Sequence, residues 1–256
     1  MTSLKNTIVL ITGASSGIGA ASARAFAGEG AHLILAARRS ERIQATAEEL
    51  HAEFGIGTLA LTLDVRDQAA VARTLGNLPG RWAAVDILLN NAGLSRGLEK
   101  LHEGLIADWD EMLDTNVKGL LYVTRTVLPG MVARGRGHVI NTGSIAGHEP
   151  YPGGNVYCAS KAAVGMLTKT LRIDLLGTGI RVTCVEPGLV ETEFSLVRYH
   201  GDEQRAVKPY QGLQPLTAAD IADAILWAAT RPAHVNVENI VLFPTAQAAA
   251  TMAHRT

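Results

Sequence analysis

Tyr157 and Lys161 stand four positions apart in the run Tyr157-Cys-Ala-Ser-Lys161. On a helix that spacing puts both side chains on one face, within reach of each other. A free phenol titrates near pH ~10 and is a poor base at neutral pH, but a neighbouring cation favours the phenolate, and about 1.4 kcal/mol of such stabilisation raises its share tenfold. The pair could therefore exchange a proton with a hydroxyl or carbonyl group. Tyr and Lys at this spacing also occur on exposed helices for packing and solvation alone. Ser144, 13 residues before Tyr157 in Asn-Thr-Gly-Ser144, narrows the choice. Its hydroxyl can bind and polarise an oxygen on which charge develops; a loop serine is otherwise a turn residue.

A second cluster could hold a phosphorylated ligand. An apolar run leads into Gly13-Ala-Ser15-Ser16-Gly17-Ile18-Gly19, ahead of an alanine-rich segment of helical character. Glycine permits positive φ and close backbone approach, and a helix start offers free N–H groups and a positive dipole end to a diphosphate. The spacing is G-x-x-x-G-x-G, not the G-x-G-x-x-G of the commoner dinucleotide fingerprint. A ligand-free strand-to-helix turn is the alternative. In dinucleotide sites an acid about 20 residues further on binds the ribose 2′-hydroxyl. Here that place falls near Ala37 and is followed by Arg38 and Arg39, whose forked donors suit a phosphate dianion. The expectation is NADP rather than NAD, against the alternative of two solvated arginines at a helix entrance.

Regular elements must position these residues. Short apolar runs ending in Gly, Asn or Pro alternate with segments of helical period, the pattern of βαβ units on a parallel sheet. Seven strands are expected at Thr7–Ile11, His32–Ala36, Thr58–Leu63, Asp86–Leu89, His138–Thr142, Arg181–Val185 and Ile240–Phe243. Ile43, Ala47, Leu50 and Phe54 recur at helical spacing before Gly55, and Val71, Leu75 and Leu78 do so before Pro79-Gly80. One helix is expected from about Asp108 to Ala133, with Pro129 kinking it or marking its last turns. Another runs from about Tyr157 to Leu176, and Thr217-Ala-Ala-Asp220 reads as a capping box opening a further one. The fold class expected is α/β: a single-domain, Rossmann-like, doubly wound sheet of seven mainly parallel strands with helices on both faces, spanning residues 1–256. The stretch from Gly188 to Pro215 has little sustained period and reads as a long loop, the candidate substrate lid.

Composition excludes several classes. The 256 residues are 47% hydrophobic and 18% charged, as in ordinary folded proteins. The 23 basic and 24 acidic residues nearly cancel without like-charge blocks, so neither nucleic acid nor an anionic membrane is the expected partner. A small-molecule substrate fits better. Cys158 and Cys184 are too few for a disulfide framework and are expected as reduced thiols; Cys158 lies about 100° around the helix from Tyr157 and reads as packing. No metal ligand set is visible, and the isolated loop residues His148 and His200 are assigned no role. Neither a signal peptide nor a membrane span is apparent, so a cytoplasmic location is expected.

Together, the glycine loop, Asn90-Asn91-Ala92-Gly93, Asn116, Ser144, Tyr157, Lys161, Pro187-Gly188 and Thr192 resemble the short-chain dehydrogenase/reductase family across nearly the whole chain. The resemblance implies a tetrad of Asn116, Ser144, Tyr157 and Lys161, with Asn116 bending its helix and holding a water that joins the lysine to solvent. It places Asp64 and Val65 at the adenine, Asn91, Ala92 and Gly93 along the cofactor, and Pro187, Gly188, Val190 and Thr192 at the nicotinamide. It implies a homotetramer through the two long helices and the final strand. More narrowly, Gly153 to Tyr157, Glu186 to Tyr199 and Phe243 to Gln247 are similar to NADP-dependent 3-hydroxy acid dehydrogenases, which act on serine, allo-threonine and 3-hydroxy acids or reduce the matching semialdehydes. Arg198, in the lid, is then a candidate anchor for a substrate carboxylate, or else an exposed loop arginine. A general carbonyl or 3-oxoacyl carrier-protein reductase and a non-catalytic nucleotide sensor remain as alternatives.

Overall fold

The computed structural model describes residues 2–256. The strands are β1 (Ile8–Thr12), β2 (His32–Ala37), β3 (Thr58–Thr62), β4 (Ile87–Asn90), β5 (Gly137–Thr142), β6 (Ile180–Pro187) and β7 (Asn239–Leu242). They form one sheet in the order β3-β2-β1-β4-β5-β6-β7, every neighbouring pair parallel. β1, Ile-Val-Leu-Ile-Thr, is buried throughout, as a strand covered on both faces must be.

Period-2 alternation divides the core into two layers. Val9, Ile11, Leu33, Leu35, Leu89, Ile140 and Val185 pack with Ala23 and Phe26 of α1 (Gly17–Gly28), Ala47 and Leu50 of α2 (Ser40–Phe54), and Ile221 and Ile225. Ile8, Leu10, Ile34, Leu88, Val139 and Val182 pack on the other face with Val71 and Leu75 of α3 (Gln68–Gly76). Val123, Val127 and Met131 complete that layer.

Sequence and structure differ where hydrogen bonding, rather than hydrophobic period, sets the local geometry. The helix expected from Asp108 to Ala133 is α4 (Ile106–Leu113), a π-helical turn at Asp114–Gly119, and α5 (Leu120–Arg134), which contains Pro129. α6 runs Asn155–Asp174. The segment from Gly188 to Pro215, expected as irregular, folds into α7 (Phe194–Arg198), α8 (Glu203–Val207) and a 3₁₀ turn at Lys208–Tyr210. Five-residue helices are too short to print a period on the sequence. α9 (Ala218–Ala229) starts with the expected capping box, Thr217 and Asp220 each bonding the other's backbone N–H. A small hairpin, β8 (Gln247–Ala249) with β9 (Met252–Ala253), was not anticipated. Among the described residues no helix is long and apolar enough to cross a membrane.

Candidate active site

β1 and β4 lie side by side at the point where chain order reverses, and the loops that follow them meet there, as open α/β sheets dictate for ligand crevices. Gly13 and Gly17 have φ of +66° and +52°. A Cβ on Gly13 would stand 2.9 Å from Ala92 Cα, and one on Gly19 would stand 2.3 Å from the Gly13 carbonyl oxygen. Gly19 is thus a packing glycine behind the cleft, whereas Gly13, Ser15, Ser16, Gly17 and Ile18 line it. Thr12 Oγ1 accepts from the N–H groups of Asn91 (3.0 Å) and Ala92 (3.1 Å), and Asn91 Nδ2 donates to the Thr12 carbonyl at 3.2 Å. These bonds lock the Asn-Asn-Ala-Gly segment to the glycine loop.

The resulting cleft, of about 620 Å³, continues from Arg38 and Arg39 past Asp64, Val65, Ala92 and Gly93 to Tyr157, Lys161, Pro187, Gly188, Val190 and Thr192. At its outer end Arg39 donates to Ser15 Oγ (3.0 Å) and Ser16 Oγ (2.5 Å), and Arg39 and Arg42 each donate to Glu193 at 2.7 Å. The hydrogen bonds from Arg39 and Arg42 hold the Glu193 carboxyl down at about 2. Arg42, in the first turn of α2, and Glu193 were not singled out in the sequence; a third arginine close behind Arg38 and Arg39 was the available signal. Arg38 is half-exposed and 3.7 Å from Glu111. Asp64 is bonded through its carboxylate by Arg66. Arg38 and Arg39 at one end and a glycine-lined helix start in the middle match the charge distribution of a dinucleotide bearing an additional phosphate.

At the inner end, Tyr157 and Lys161 rise from the first turns of α6, both buried. Lys161 Nζ donates to the Thr142 carbonyl at 2.8 Å. Burial raises the Tyr157 phenol, opposed by the charge of Arg198 and by a hydrogen bond with Ser144. The guanidinium carbon of Arg198 lies 5.1 Å from the Tyr157 ring centre, so the cation that acts on the phenol comes from the lid, a residue the four-residue spacing did not suggest. Burial pulls the Lys161 ammonium down to about 8. Ser144 caps the 3₁₀ turn at Ile145–Gly147, its Oγ accepting from Ala146 N at 3.1 Å.

Asn116 sits in the π-helical turn. Its Oδ1 accepts from Leu94 N (2.9 Å), and its Nδ2 donates to the Leu94 carbonyl (2.8 Å) and to Ser160 Oγ (3.0 Å). The side chain therefore clamps the chain after Gly93 onto α6. It does not line the cleft, and it and Lys161 meet only at Gly93, whose missing Cβ would lie 3.2 Å from Asn116 Oδ1 and 3.5 Å from Lys161 Nζ.

Arg198 is not a free loop arginine. Its Nε donates to Ser95 Oγ (3.0 Å) and a terminal nitrogen to Tyr151 Oη (2.7 Å), and it lies 5.0 Å from the Phe194 ring centre. Ser95, Tyr151 and Phe194 were missed because their pairing with position 198 is long-range. So was Gln247, whose Oε1 accepts from Leu189 N at 2.9 Å and which brings the β8–β9 hairpin to the cleft wall. His148 and His200, assigned no role, each bond an acid: Glu186 at 2.6 Å and Asp108 at 3.1 Å. Both cysteines are free and buried. Among the described residues no group of acids, histidines and cysteines could hold a metal.

Comparison with known proteins agrees with this geometry. Residues 7–201 match the family described as short chain dehydrogenase. The NADP-dependent 3-hydroxy acid dehydrogenase of Salmonella typhi is 50% identical over 250 residues, 97% of this chain and 99% of that protein. Sulfoacetaldehyde reductase 2 of Chromohalobacter salexigens is 49% identical over 242 residues, 94% of this chain and 95% of that one. The closed form of serine dehydrogenase complexed with NADP+ superimposes with a TM-score of 0.91 at 48% identity, covering 98% of this chain and all of that one.

Proposed function

The chain belongs to the short-chain dehydrogenase family, and from that premise we propose that it is an NADP-dependent oxidoreductase that interconverts a small 3-hydroxy acid, such as serine, allo-threonine or 3-hydroxyisobutyrate, and its carbonyl counterpart. NADP, when bound, supplies the hydride acceptor or donor. The observation that carries the substrate class is Arg198, held by Ser95 and Tyr151 against the ring of Tyr157 inside the cleft. A guanidinium there suits a substrate with an acidic group a few atoms from its hydroxyl. The names of the Salmonella and Chromohalobacter relatives both denote substrates carrying such a group.

In this reading Ser144 and Tyr157 bind the substrate oxygen from the same side, and Tyr157 takes its proton during oxidation or returns it during reduction. Lys161 stabilises the phenolate and anchors the nicotinamide ribose, while Arg198 orients the acid and lends its charge to Tyr157. Residues 188–215 act as a lid on a single domain, with Thr192 and Val190 facing the nicotinamide. Exposed Leu113, Leu121, Met166 and Ile173 on α4, α5 and α6 support a homotetramer, which sedimentation would test.

Incubation with NADP+ and L-serine, allo-threonine or 3-hydroxyisobutyrate is expected to generate the reduced nicotinamide band. No signal across the acids together with turnover of uncharged ketones would replace this reading with a general carbonyl reductase. Arg198→Met should raise KM for the acids about tenfold or more while leaving KM for an uncharged alcohol nearly unchanged, the charge lost from Tyr157 appearing in kcat for both.

A further inference from the structure

We infer that Glu186, a carboxylate buried beneath the floor of the cleft, is a positioning residue that keeps Lys161 in its cationic form, with the half-exposed His148 as its link to solvent. This rests on the role given to Lys161 above.

Glu186 is the penultimate residue of β6 and is 1% exposed. A buried carboxylate is unfavourable unless its charge is answered. Its direct partners answer it incompletely. Asn239 Nδ2 of β7 donates to Oε2 at 2.6 Å, His148 Nε2 lies 2.6 Å from the same oxygen, and the Cys184 thiol donates to Oε1 at 3.5 Å. Asn239 and Cys184 offer only protons, and His148 is a third donor in the tautomer that carries its proton on Nε2, the bonding set that an anion requires. Two of the three partners are neutral, and the third is a titratable side chain at the protein surface. Full compensation needs another cation.

Lys161 is that cation. Its Nζ bonds the carbonyl of Thr142, and Glu186 packs against the next residue, Gly143. A Cβ on Gly143 would meet Glu186 Cγ at 2.7 Å and Oε1 at 3.2 Å, so the space left by the glycine is what admits the carboxylate. Gly165, one helical turn beyond Lys161 on α6, would place a Cβ 3.5 Å from the same Oε1. Oε1 of Glu186, which accepts only the long bond from the Cys184 thiol, thus lies between Gly143, the residue preceding Ser144, and the α6 face that carries Lys161. Glu186 does not line the cleft, so it touches neither substrate nor cofactor and acts only through its field, which is weakly screened in a dry interior.

The titratable groups facing this centre are Lys161 from α6, His148 from the turn before α6, Cys184 from β6 and Glu186 itself; β7 contributes only Asn239. Burial drives Lys161 down, and Cys184 and Glu186 oppose the fall. Cys184 is pushed up to about 12, by burial first and Glu186 second. It is a neutral thiol at working pH, which leaves Glu186 as the standing negative charge. Without it the lysine would lose its proton at a lower pH, and Tyr157 would lose part of the cationic surroundings that make it usable.

The test is a titration of Lys161 in the NADP+ complex by NMR of protein carrying isotope-labelled lysine, assigned with Lys161→Met. Glu186→Gln should lower the Lys161 midpoint by ~1 pH unit, Glu186→Asp should restore most of it, and the alkaline limb of kcat/KM should move by the same amount. His148→Lys, a change at the surface that leaves the buried carboxylate in place but neutralises it permanently, should shift the midpoint in the same direction and keeps the question answerable if Glu186→Gln does not fold. An unmoved midpoint in His148→Lys or in a folded Glu186→Gln, with activity lost evenly across pH, would reduce Glu186 to a packing role and overturn the inference. The NMR reading needs no substrate, so failure of the 3-hydroxy acid assignment leaves it intact and separately measurable.

Discussion

Tyr157 and Lys161 are both enclosed by protein, a costly place for a phenolate or an ammonium. The lysine makes the cost measurable. Its folded value lies near 8 against 10.5 for the free side chain, so between those pH values the unfolded chain binds more protons and stability contributed by this group rises with pH. In the cofactor-free protein, Lys161→Met should therefore be stabilising at pH 7, by up to about 3 kcal/mol, with the gain shrinking from pH 8 to 10.5 in urea melts. A constant difference across that range would show that the ammonium is not penalised. On the proposed mechanism Tyr157→Phe should lower kcat by about 10³-fold or more while NADPH affinity, followed by fluorescence, changes less than twofold. The Tyr, Lys and Ser were legible in the sequence because four-residue spacing and a strand end place them without knowledge of the fold. Arg198 was legible as a residue but not as a neighbour of Tyr157, since its bonds to Ser95 and Tyr151 bridge 103 and 47 positions.

At the level of elements, short apolar runs bounded by turn residues located all seven sheet strands to within a residue or two at each end, including the less buried edge strands β3 and β7. Period says little about how a helix closes its hydrogen bonds. The widened turn at Asp114–Gly119 leaves the apolar rhythm of α4 and α5 almost undisturbed, yet it is what turns Asn116 onto Leu94. Asn116→Leu would leave the Leu94 N–H and carbonyl without their partners and should destabilise the protein by about 2–4 kcal/mol; an effect under ~1 kcal/mol in chemical denaturation would mean the clamp is replaced by other bonds. The capping box of α9 is a milder case, visible in the sequence and local in its effect. Thr217→Ala should cost about 1 kcal/mol with no change in kinetic constants.

Across the whole molecule, charge links the two halves of the sheet at the outer end of the cleft. Arg39 and Arg42 follow β2, whereas Glu193 belongs to the segment after β6, 154 residues beyond Arg39. No sequence pattern connects them; only the sheet order does. Arg39→Ala should weaken NADP binding by about tenfold or more through loss of a forked, charge-assisted contact and leave NAD binding within about twofold, as isothermal titration would read; equal losses for both would assign the arginine to the shared diphosphate instead.

The order of the strands also governs how the protein reaches its native state. Synthesis delivers β1, β2 and β3 as one contiguous half of the sheet, and β4 to β7 then extend it from the opposite edge of β1. The cleft spans both halves, from the Gly13 loop to the residues after β6, so a partly folded or nascent chain that has not docked β6 offers a nucleotide only part of it. NADP should then slow unfolding by stabilising only the finished state, leaving the early refolding rate untouched. The molecule would acquire its cofactor as the last act of folding, not as a template for it.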